Sequence, residues 1–431
     1  MTPAYTFCVP ESFDPHEFLR EPALCRLADD ARYFVGLILT KLSRQQVDND
    51  DKVRLMAKHL RNVMHKHKYC RVIDALLDGG AVTRAPYVVG ERAFGYILAD
   101  RFTHDKHVRV AATCPRLIGR LAAFHERAEA ERRARMLPVH FGLERQQRRL
   151  RIDVRQAREI ISGLPPESNP FDVQGVLTSD IEHREFHVNV GRFGRLSNNI
   201  TSLKREVRAA LRQNREPLAQ VDVACCQPAL VAKRAKKMIP INKKQPNTAN
   251  RRREEGERER EDSKHASIYD APRGTPPQSD LEWYCELVQS GSFYDYLLAQ
   301  LPTCPNLTRD EVKKRFLVDV LAKRKANARG VEYPSVVEDC FRRLFPSVYR
   351  YIREVNRDGW EHAKMIRQLQ REESSLVVET VAAHLLTRHP DLFVLTLHDA
   401  IFTAPGSIPL VLREFERTFD ETGFPMTLKT G

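Results

Sequence analysis

Two short segments, far apart in the chain, each hold one aspartate between apolar residues. The first has the sequence LAQVDVACCQP around Asp222, and the second has the sequence FVLTLHDAIFT around Asp399. Short apolar runs rich in valine, isoleucine and phenylalanine favour buried strands, so we expect each aspartate at a strand end. Two carboxylates held in this way can bind a pair of Mg²⁺ ions, which is the arrangement that in-line phosphoryl transfer requires.

Composition places the chain among soluble globular proteins. Its 431 residues, 42% hydrophobic and 29% charged, predict two or three domains with a sizeable core. The net charge of +13 favours an anionic partner such as nucleic acid. Nine cysteines without metal-ligand spacing predict reduced thiols of a cytoplasmic protein. No signal-peptide pattern and no apolar run of transmembrane length occurs, so we expect no membrane association.

The first part of the chain has the pattern helix, turn, helix, hairpin. Apolar residues recur at helical spacing at Val53, Met56, Leu60 and Val63. A second helix is expected from His65 to Leu77, followed by strands on either side of a turn at Gly90-Glu91. This order resembles a winged helix and defines a domain over residues 1–105. The resemblance implies DNA contacts from the second helix, through Lys66, Lys68 and Arg71. A helical domain that only packs or binds protein is the alternative.

Residues 106–185 predict a basic helical region that resembles a polymerase thumb. Two long arginine-rich helices are expected, at residues 117–137 and 143–161, and these can hold a duplex through its phosphates. A solvated helix face is the alternative. Residues 233–278 consist mostly of Lys, Arg, Glu, Asn and Pro and predict a flexible insertion or an exposed charged helix.

The segment upstream of Asp222 carries a resemblance to a known family. Gly194-Arg195-Leu196-Ser197, followed by Asn199, resembles the segment that precedes the first catalytic aspartate in family A DNA polymerases. In that family the segment lies at the junction of thumb and palm and holds the primer–template backbone. The resemblance therefore implies nucleic-acid contacts from Arg192, Arg195 and Asn199, whose side chains suit such contacts.

The Asp222 segment resembles the first palm motif of the same family, with one departure. The family has a glutamine three residues after the aspartate, whereas here Gln227 stands five residues after it. By the resemblance, Gln227 contacts nucleic acid. The glutamate with which DNA polymerases of the family help exclude a ribose 2′-hydroxyl has no clear equivalent, so the preference between deoxynucleotides and ribonucleotides is left open.

A helix between the two aspartates resembles the nucleotide-binding helix of the fingers. Arg309 and Lys313 are four residues apart and project from one face of a helix that Thr308 is expected to cap. In the family, such cations bind the triphosphate of the incoming nucleotide and neutralise charge on the leaving pyrophosphate. Lys314 is a further candidate for the same role.

The Asp399 segment resembles the second palm motif, in which a histidine and an aspartate lie at the tip of a β-hairpin. By the resemblance, His398 contacts the primer. By the same resemblance, the helix that leads into this strand is expected to bring Gln370 near the primer terminus. The acid that usually follows the aspartate is replaced by Ala400, as it is in the single-subunit phage RNA polymerases.

Together these resemblances predict an α+β fold of the polymerase right-hand type over residues 186–431, with an antiparallel palm sheet and helical fingers and thumb. Asp222 and Asp399 are expected to bind two Mg²⁺ ions, for which Mn²⁺ can substitute, and to catalyse DNA synthesis from a primer. The expected partners are a DNA primer–template and nucleoside triphosphates, as in compact polymerases of phages, plasmids and other mobile elements. No acidic set typical of a proofreading exonuclease occurs. Two alternatives remain: an RNA polymerase or primase on the same palm, and a noncatalytic DNA-binding initiation protein with a decayed palm.

Overall fold

The computed structural model describes residues 5–47, 51–88, 93–239, 279–301, 307–322, 335–357 and 363–431. The strands are β1 (Thr6–Pro10), β2 (Val53–Arg54), β3 (Val82–Ala85), β4 (Gly95–Leu98), β5 (His107–Ala111), β6 (Arg151–Ile152), β7 (Val188–Val190), β8 (Leu196–Asn198), β9 (Leu211–Gln213), β10 (Glu216–Pro217), β11 (Ala219–Val223), β12 (Leu395–Leu397), β13 (Ala400–Thr403) and β14 (Leu428–Thr430).

The α-helices are α1 (Pro22–Cys25), α2 (Ala28–Ser43), α3 (Ala57–Val63), α4 (Tyr69–Asp78), α5 (Pro115–Arg133), α6 (Pro138–Gln147), α7 (Val154–Ser162), α8 (Val173–Glu182), α9 (Arg205–Arg208), α10 (Cys226–Met238), α11 (Asp280–Gln289), α12 (Phe293–Ala299), α13 (Arg309–Arg315), α14 (Val336–Leu344), α15 (Pro346–Val355), α16 (Lys364–Ser374), α17 (Ala383–Arg388) and α18 (Ile408–Thr422). Two segments are π-helical, Phe316–Leu321 and Ser375–Ala382. None of the helices described here is long and apolar enough to cross a membrane.

Within the described residues the strands form five small sheets. Their strand orders are β1-β5, β2-β4-β3, β10-β9-β6, β7-β8 and β12-β13-β11-β14. The pairings β1–β5, β2–β4, β3–β4, β6–β9, β9–β10, β7–β8 and β12–β13 are antiparallel. The chain therefore has the expected α+β character, with helices around small antiparallel sheets.

The chain forms two compact units. The first consists of Met1–Val221, Ser374–Phe415 and Thr430–Gly431, and the second of Asp222–Glu373 and Glu416–Lys429. Among the described residues, the first unit contains two hydrophobic cores, one built on α2 and the N-terminal elements and one built around β9, β12 and β13.

The N-terminal elements differ from the sequence prediction at both helices. Val53 lies in β2, which pairs with β4, and the helix begins only at Ala57. The next helix begins at Tyr69 and not at His65, so that Lys66 and Lys68 precede α4 and Arg71 lies on it. The strand pairing explains the first difference, because contacts with a distant strand override local helical spacing. The predicted turn at 90–91 lies outside the described residues.

The region after α5 also differs from the prediction. The helix expected at residues 117–137 is present as α5, but the single helix expected at 143–161 is wrong. Strand β6 interrupts it and pairs with β9 through Arg151 with Arg212 and Ile152 with Leu211. Asp153 then accepts a hydrogen bond from the backbone of Gln156 and begins α7 as its N-cap.

Part of the positive charge of this region is neutralised within the chain. Arg132 and Arg133 form ion pairs with Glu129, and Arg132 and Arg148 form ion pairs with Glu144. The arginine hydrogen bonds hold the pKa of Glu129 down at about 2, so this carboxylate stays charged at neutral pH. These pairs favour the alternative of a solvated helix surface over a duplex-binding one.

Aromatic residues form the centre of the second unit. Tyr284, Phe293, Phe316, Phe341 and Phe345 are buried and meet largely edge to face, with 5.0 Å between the ring centroids of Phe293 and Phe316. Edge-to-face packing adds to the energy of burial. Most of the predicted charged insertion, from residue 240 to 278, lies outside the described residues.

Candidate active-site segments

Asp399 lies in a tight β-hairpin of the first unit. Leu397 pairs with Ala400, which leaves His398 and Asp399 as the two residues of the turn. The alternate residues Leu395, Leu397, Ala400 and Phe402 are buried in the second core of this unit. Asp399 is half-buried and His398 is exposed. The strands of the hairpin are therefore buried and its turn is accessible to solvent, as the sequence predicts.

The turn has an unusual backbone. His398 has a φ of 54°, a left-handed conformation that residues other than glycine adopt at a cost of about 1–3 kcal/mol. Such conformations persist where the surroundings hold them, and they concentrate at functional sites. Here the buried strands on both sides of the turn supply that support.

The Gly-Arg-Leu-Ser segment forms a second hairpin that lies beside the first. Strands β7 and β8 pair around a turn at 191–195, and Gly194 in that turn has a φ of 79°. The Asn198 side-chain amide donates to the Thr396 backbone carbonyl at 3.1 Å. The Ser374 hydroxyl donates to the Gly194 carbonyl. The structure therefore brings this segment into contact with the strand that precedes Asp399, within one unit.

Asn199 has a structural position rather than the predicted nucleic-acid contact. Its side chain is completely buried. Its Oδ1 accepts from the backbone N–H of His187 at 2.9 Å and its Nδ2 donates to the carbonyl of Glu185 at 3.0 Å. The amide is thus satisfied inside the fold and cannot reach a ligand without unfolding the hairpin. We correct the sequence prediction accordingly.

The arginines of the same hairpin are accessible. Arg192 is exposed and its guanidinium lies 5.9 Å from the ring centroid of Phe193. Arg195 is partly exposed. Their predicted contacts with nucleic acid stay predictions.

Asp222 lies within strand β11, at the start of the second unit. Val221 and Val223 on either side are buried, whereas Asp222 is partly exposed. The strand ends in a turn at Ala224 and Cys225, and Cys225 has a φ of 52°. Asp222 is therefore a strand residue, one position before the end of β11.

The turn after Asp222 is closely packed. The backbone N–H of Ala224 donates to the carbonyl of Thr427 at 2.9 Å. Gly291 has a φ of +75°, and a Cβ at this position would lie 2.9 Å from the Cβ of Ala224. Glycine is thus required here both by backbone conformation and by space, and the turn is held from two sides.

Helix α10, which follows this turn, is tied to α16 by polar pairs. The Gln227 side-chain amide donates at 3.0 Å to the carboxylate of Glu373, which is buried. One residue away on α16, Glu372 pairs with Arg234, which also donates to the Tyr351 hydroxyl. Gln370 on α16 is partly exposed. Sequence patterns did not identify Arg234 as a residue of this region. Arg234 stands seven residues after Gln227, so both side chains lie on one face of α10.

The predicted nucleotide-binding helix is α13. Thr308 caps it, with a reciprocal bond from Glu311 that completes a capping box, so the predicted N-cap is confirmed. The Arg309 guanidinium donates to Asp295 at 2.9 Å and lies 5.5 Å from the ring centroid of Tyr294. This carboxylate partner was not anticipated from the sequence.

The remaining cations of α13 are at its C-terminal end. Lys313 and Lys314 are both exposed, whereas Val312, the residue before them, is buried. The side chains of these lysines therefore point toward solvent, away from the side of the helix that is packed against the unit. They are accessible to solvent, and their predicted contact with the triphosphate stays a prediction.

The described residues contain no cluster of three or more His, Cys, Asp or Glu side chains that could by itself hold a metal ion. Mg²⁺ does not need such a cluster, because it keeps several waters and is commonly bound by one or two carboxylates together with substrate phosphates. The chemistry of Asp222 and Asp399, two partly exposed carboxylates, fits this mode of binding.

No protein-family model matches the chain, and no curated protein matches it. Among solved structures, a match is found to the POL domain of Pol1 from M. smegmatis in complex with DNA primer-template and dNTP. The sequence identity is 12%, the match covers 60% of this chain and 50% of the other, and the TM-score is 0.37. The matched part thus spans half the length of that polymerase chain, and a similarity of this strength carries no argument about activity.

Proposed function

We propose that the chain catalyses template-directed nucleotidyl transfer, with DNA synthesis from a primer as the reaction. One observation carries the proposal. Asp222 lies in β11 and Asp399 in the turn between β12 and β13, and each is partly exposed beside buried strand residues. The resemblance to family A polymerases in the order of the flanking segments supports the same reaction.

The proposed roles follow from the chemistry of the side chains. Asp222 and Asp399 would hold two Mg²⁺ ions, which when bound supply charge neutralisation and activate a primer 3′-hydroxyl. Arg309, Lys313 and Lys314 bind the triphosphate and neutralise charge on the leaving pyrophosphate. Asp295 holds the Arg309 guanidinium in place before the nucleotide arrives, which reduces the entropy that binding costs.

The finer parts of the architecture belong to the same proposal. We assign the palm and fingers to residues 186–431, the thumb to residues 106–185 and a winged-helix domain to residues 1–105. Arg192, Arg195, His398, Gln227 and Gln370 are the proposed contacts with primer and template.

Primer extension on a primed DNA template tests the proposal. Asp222→Asn and Asp399→Asn keep the side-chain shape and remove the charge, so each is expected to lower incorporation by at least about 10²-fold. The matched controls are Asp391→Asn in the first unit and Asp420→Asn in the second, both exposed aspartates with no assigned role. Robust synthesis by either active-site variant would refute the assignment.

The same assay separates the two enzyme alternatives. Ala400, in place of an acid, is buried in β13, so no second carboxylate follows Asp399 in the turn. Incorporation of ribonucleotides in preference to deoxynucleotides would assign an RNA polymerase or primase. DNA binding without any incorporation, under Mg²⁺ or Mn²⁺, would refute catalysis and assign a noncatalytic DNA-binding protein.

A further inference from the structure

Three exposed apolar side chains flank the strands of the small β2-β4-β3 sheet of the first unit. Eight large hydrophobic side chains of the described residues are exposed, and three of these are Met56, Tyr87 and Phe94. Met56 follows Leu55, whose backbone N–H donates to the Phe94 carbonyl. Tyr87 and Phe94 are the two aromatic members of the exposed set. An exposed apolar cluster on a soluble protein marks a binding surface.

The two rings lie close together, tilted by 48°, and an arginine lies beside them. Tyr87 is 52% and Phe94 36% exposed, and their ring centroids are 5.7 Å apart. The Arg84 guanidinium lies 4.8 Å from the Phe94 ring centroid, and its charge is partly offset by Asp74 at 3.8 Å. Exposed aromatic rings beside a guanidinium group suit the stacking of nucleobases.

A second arginine borders this surface. The Arg54 guanidinium donates to the Ala93 carbonyl at 3.3 Å. It also covers Gly95 so closely that a Cβ there would lie 2.5 Å from the guanidinium. Arg54 therefore adds positive charge next to the rings, which favours an anionic partner over a purely apolar one.

Helix α4 is less suited to binding a DNA duplex than the sequence predicts. Arg71 is paired with Glu21, and the exposed face of the helix also carries Asp74 and Asp78. Carboxylates repel phosphates, and duplex binding depends on phosphate neutralisation. The features on this part of the unit that suit nucleic acid are therefore the rings and guanidinium groups of the sheet, which recognise the faces of bases. Base faces are accessible in single strands and not inside a duplex.

We infer that Tyr87, Phe94 and Arg84 form a stacking platform for the unpaired bases of single-stranded DNA. The inference rests on the proposed function only in that it names single-stranded DNA as a partner of a polymerase. It requires neither of the proposed catalytic aspartates. A single strand stacks its bases on the two rings, and its phosphates face the neighbouring guanidinium groups.

Fluorescence polarisation of a labelled oligo-dT strand and of a labelled blunt DNA hairpin, titrated with the full chain, tests the inference. Tyr87→Ala and Phe94→Ala are each expected to weaken binding of the single strand about tenfold, the effect of removing one stacked base contact. Binding of the blunt hairpin is expected to change less than twofold. Met238→Ala, which removes an exposed apolar side chain of α10, is the matched control and is expected to leave both affinities unchanged.

A variant that keeps an aromatic ring at this position tests whether misfolding explains the loss of binding in the alanine variants. Tyr87→Trp keeps a stacking ring and is expected to retain the affinity for oligo-dT, with its added tryptophan emission quenched by the strand. Asp222→Asn is expected to bind the strand like the unaltered chain, so that failure of catalysis and failure of the platform are distinguishable.

Three results would overturn the inference: unchanged oligo-dT affinity in both alanine variants, equal losses for the single strand and the hairpin, or no quenching of the added emission in Tyr87→Trp. Unchanged DNA binding together with lost self-association in light scattering would likewise overturn it, and would assign the rings to a protein contact.

Discussion

Removal of the Asn198 side chain is expected to destabilise the β12–β13 hairpin strongly. In the strand order, β12 is an edge strand, and the Asn198 amide satisfies the Thr396 carbonyl at that edge. Its Oδ1 also accepts from the backbone N–H of Ile200 at 3.0 Å. Both Thr396 and Ile200 are almost completely buried, so Asn198→Ala leaves two polar backbone groups without these partners.

The magnitude follows from those two groups. A buried donor or acceptor that loses its partner costs about 1–3 kcal/mol, so the loss of two partners in Asn198→Ala is expected to lower the free energy of unfolding by about 2–6 kcal/mol. The loss is large beside the total of about 5–15 kcal/mol that is typical of a domain. Asn189→Ala is the matched control, because Asn189 belongs to the same hairpin and is exposed; it is expected to change the free energy by less than about 0.5 kcal/mol.

Urea denaturation followed by circular dichroism measures the overall effect, and amide hydrogen exchange of β12 and β13 measures the local one. Exchange is informative here because the two units need not unfold together. Amides of β13 are expected to lose protection in Asn198→Ala and to keep it in Asn189→Ala. Equal stability of the two variants, within about 0.5 kcal/mol, would refute the reasoning that Asn198 holds the edge of the hairpin.

Three further predictions concern backbone conformation and pH. Because the turn needs a positive φ, His398→Gly is expected to keep the stability or raise it by up to about 1 kcal/mol, and His398→Val to lower it by about 1–2 kcal/mol. The urea concentration at which each variant is half unfolded measures this, and an equal effect of the two changes would contradict the prediction. Gly291→Ala is expected to lower stability by about 1–3 kcal/mol, measured in the same way, and a neutral result would show that Ala224 yields. Burial lowers the pKa of His187 to about 3, below its unfolded value of about 6.5. The unfolded state therefore binds the extra proton between these values, and stability is expected to fall as pH drops from about 6.5 toward 3; His187→Gln should flatten this part of the pH profile, and an unchanged profile would contradict the burial of a neutral imidazole.

The sequence predicted the features that depend on neighbours along the chain. The hairpin around Asp399, the cap at Thr308 and the helix α5 each follow from a local pattern of apolar residues or capping side chains, and each is present. Strands β2 and β6 were missed, because two-residue strands carry no periodicity of their own. They form because β4 and β9 lie beside them, and such partners are not visible in a local window.

Asn198 and Asn199 have structural roles in the candidate site that a comparison of motifs did not predict. The resemblance directs attention to Asn199 as a ligand contact, yet both asparagines are buried and bond only inside the fold in the contacts described above. The signal for this was in the sequence: Leu196, Ile200 and Leu203 stand on either side of the pair along the chain, and all three are buried. A polar amide between core residues must find internal partners, since burial without them is costly. The two asparagines therefore shape and attach the hairpin, which leaves its accessible arginines as the groups that can contact a ligand.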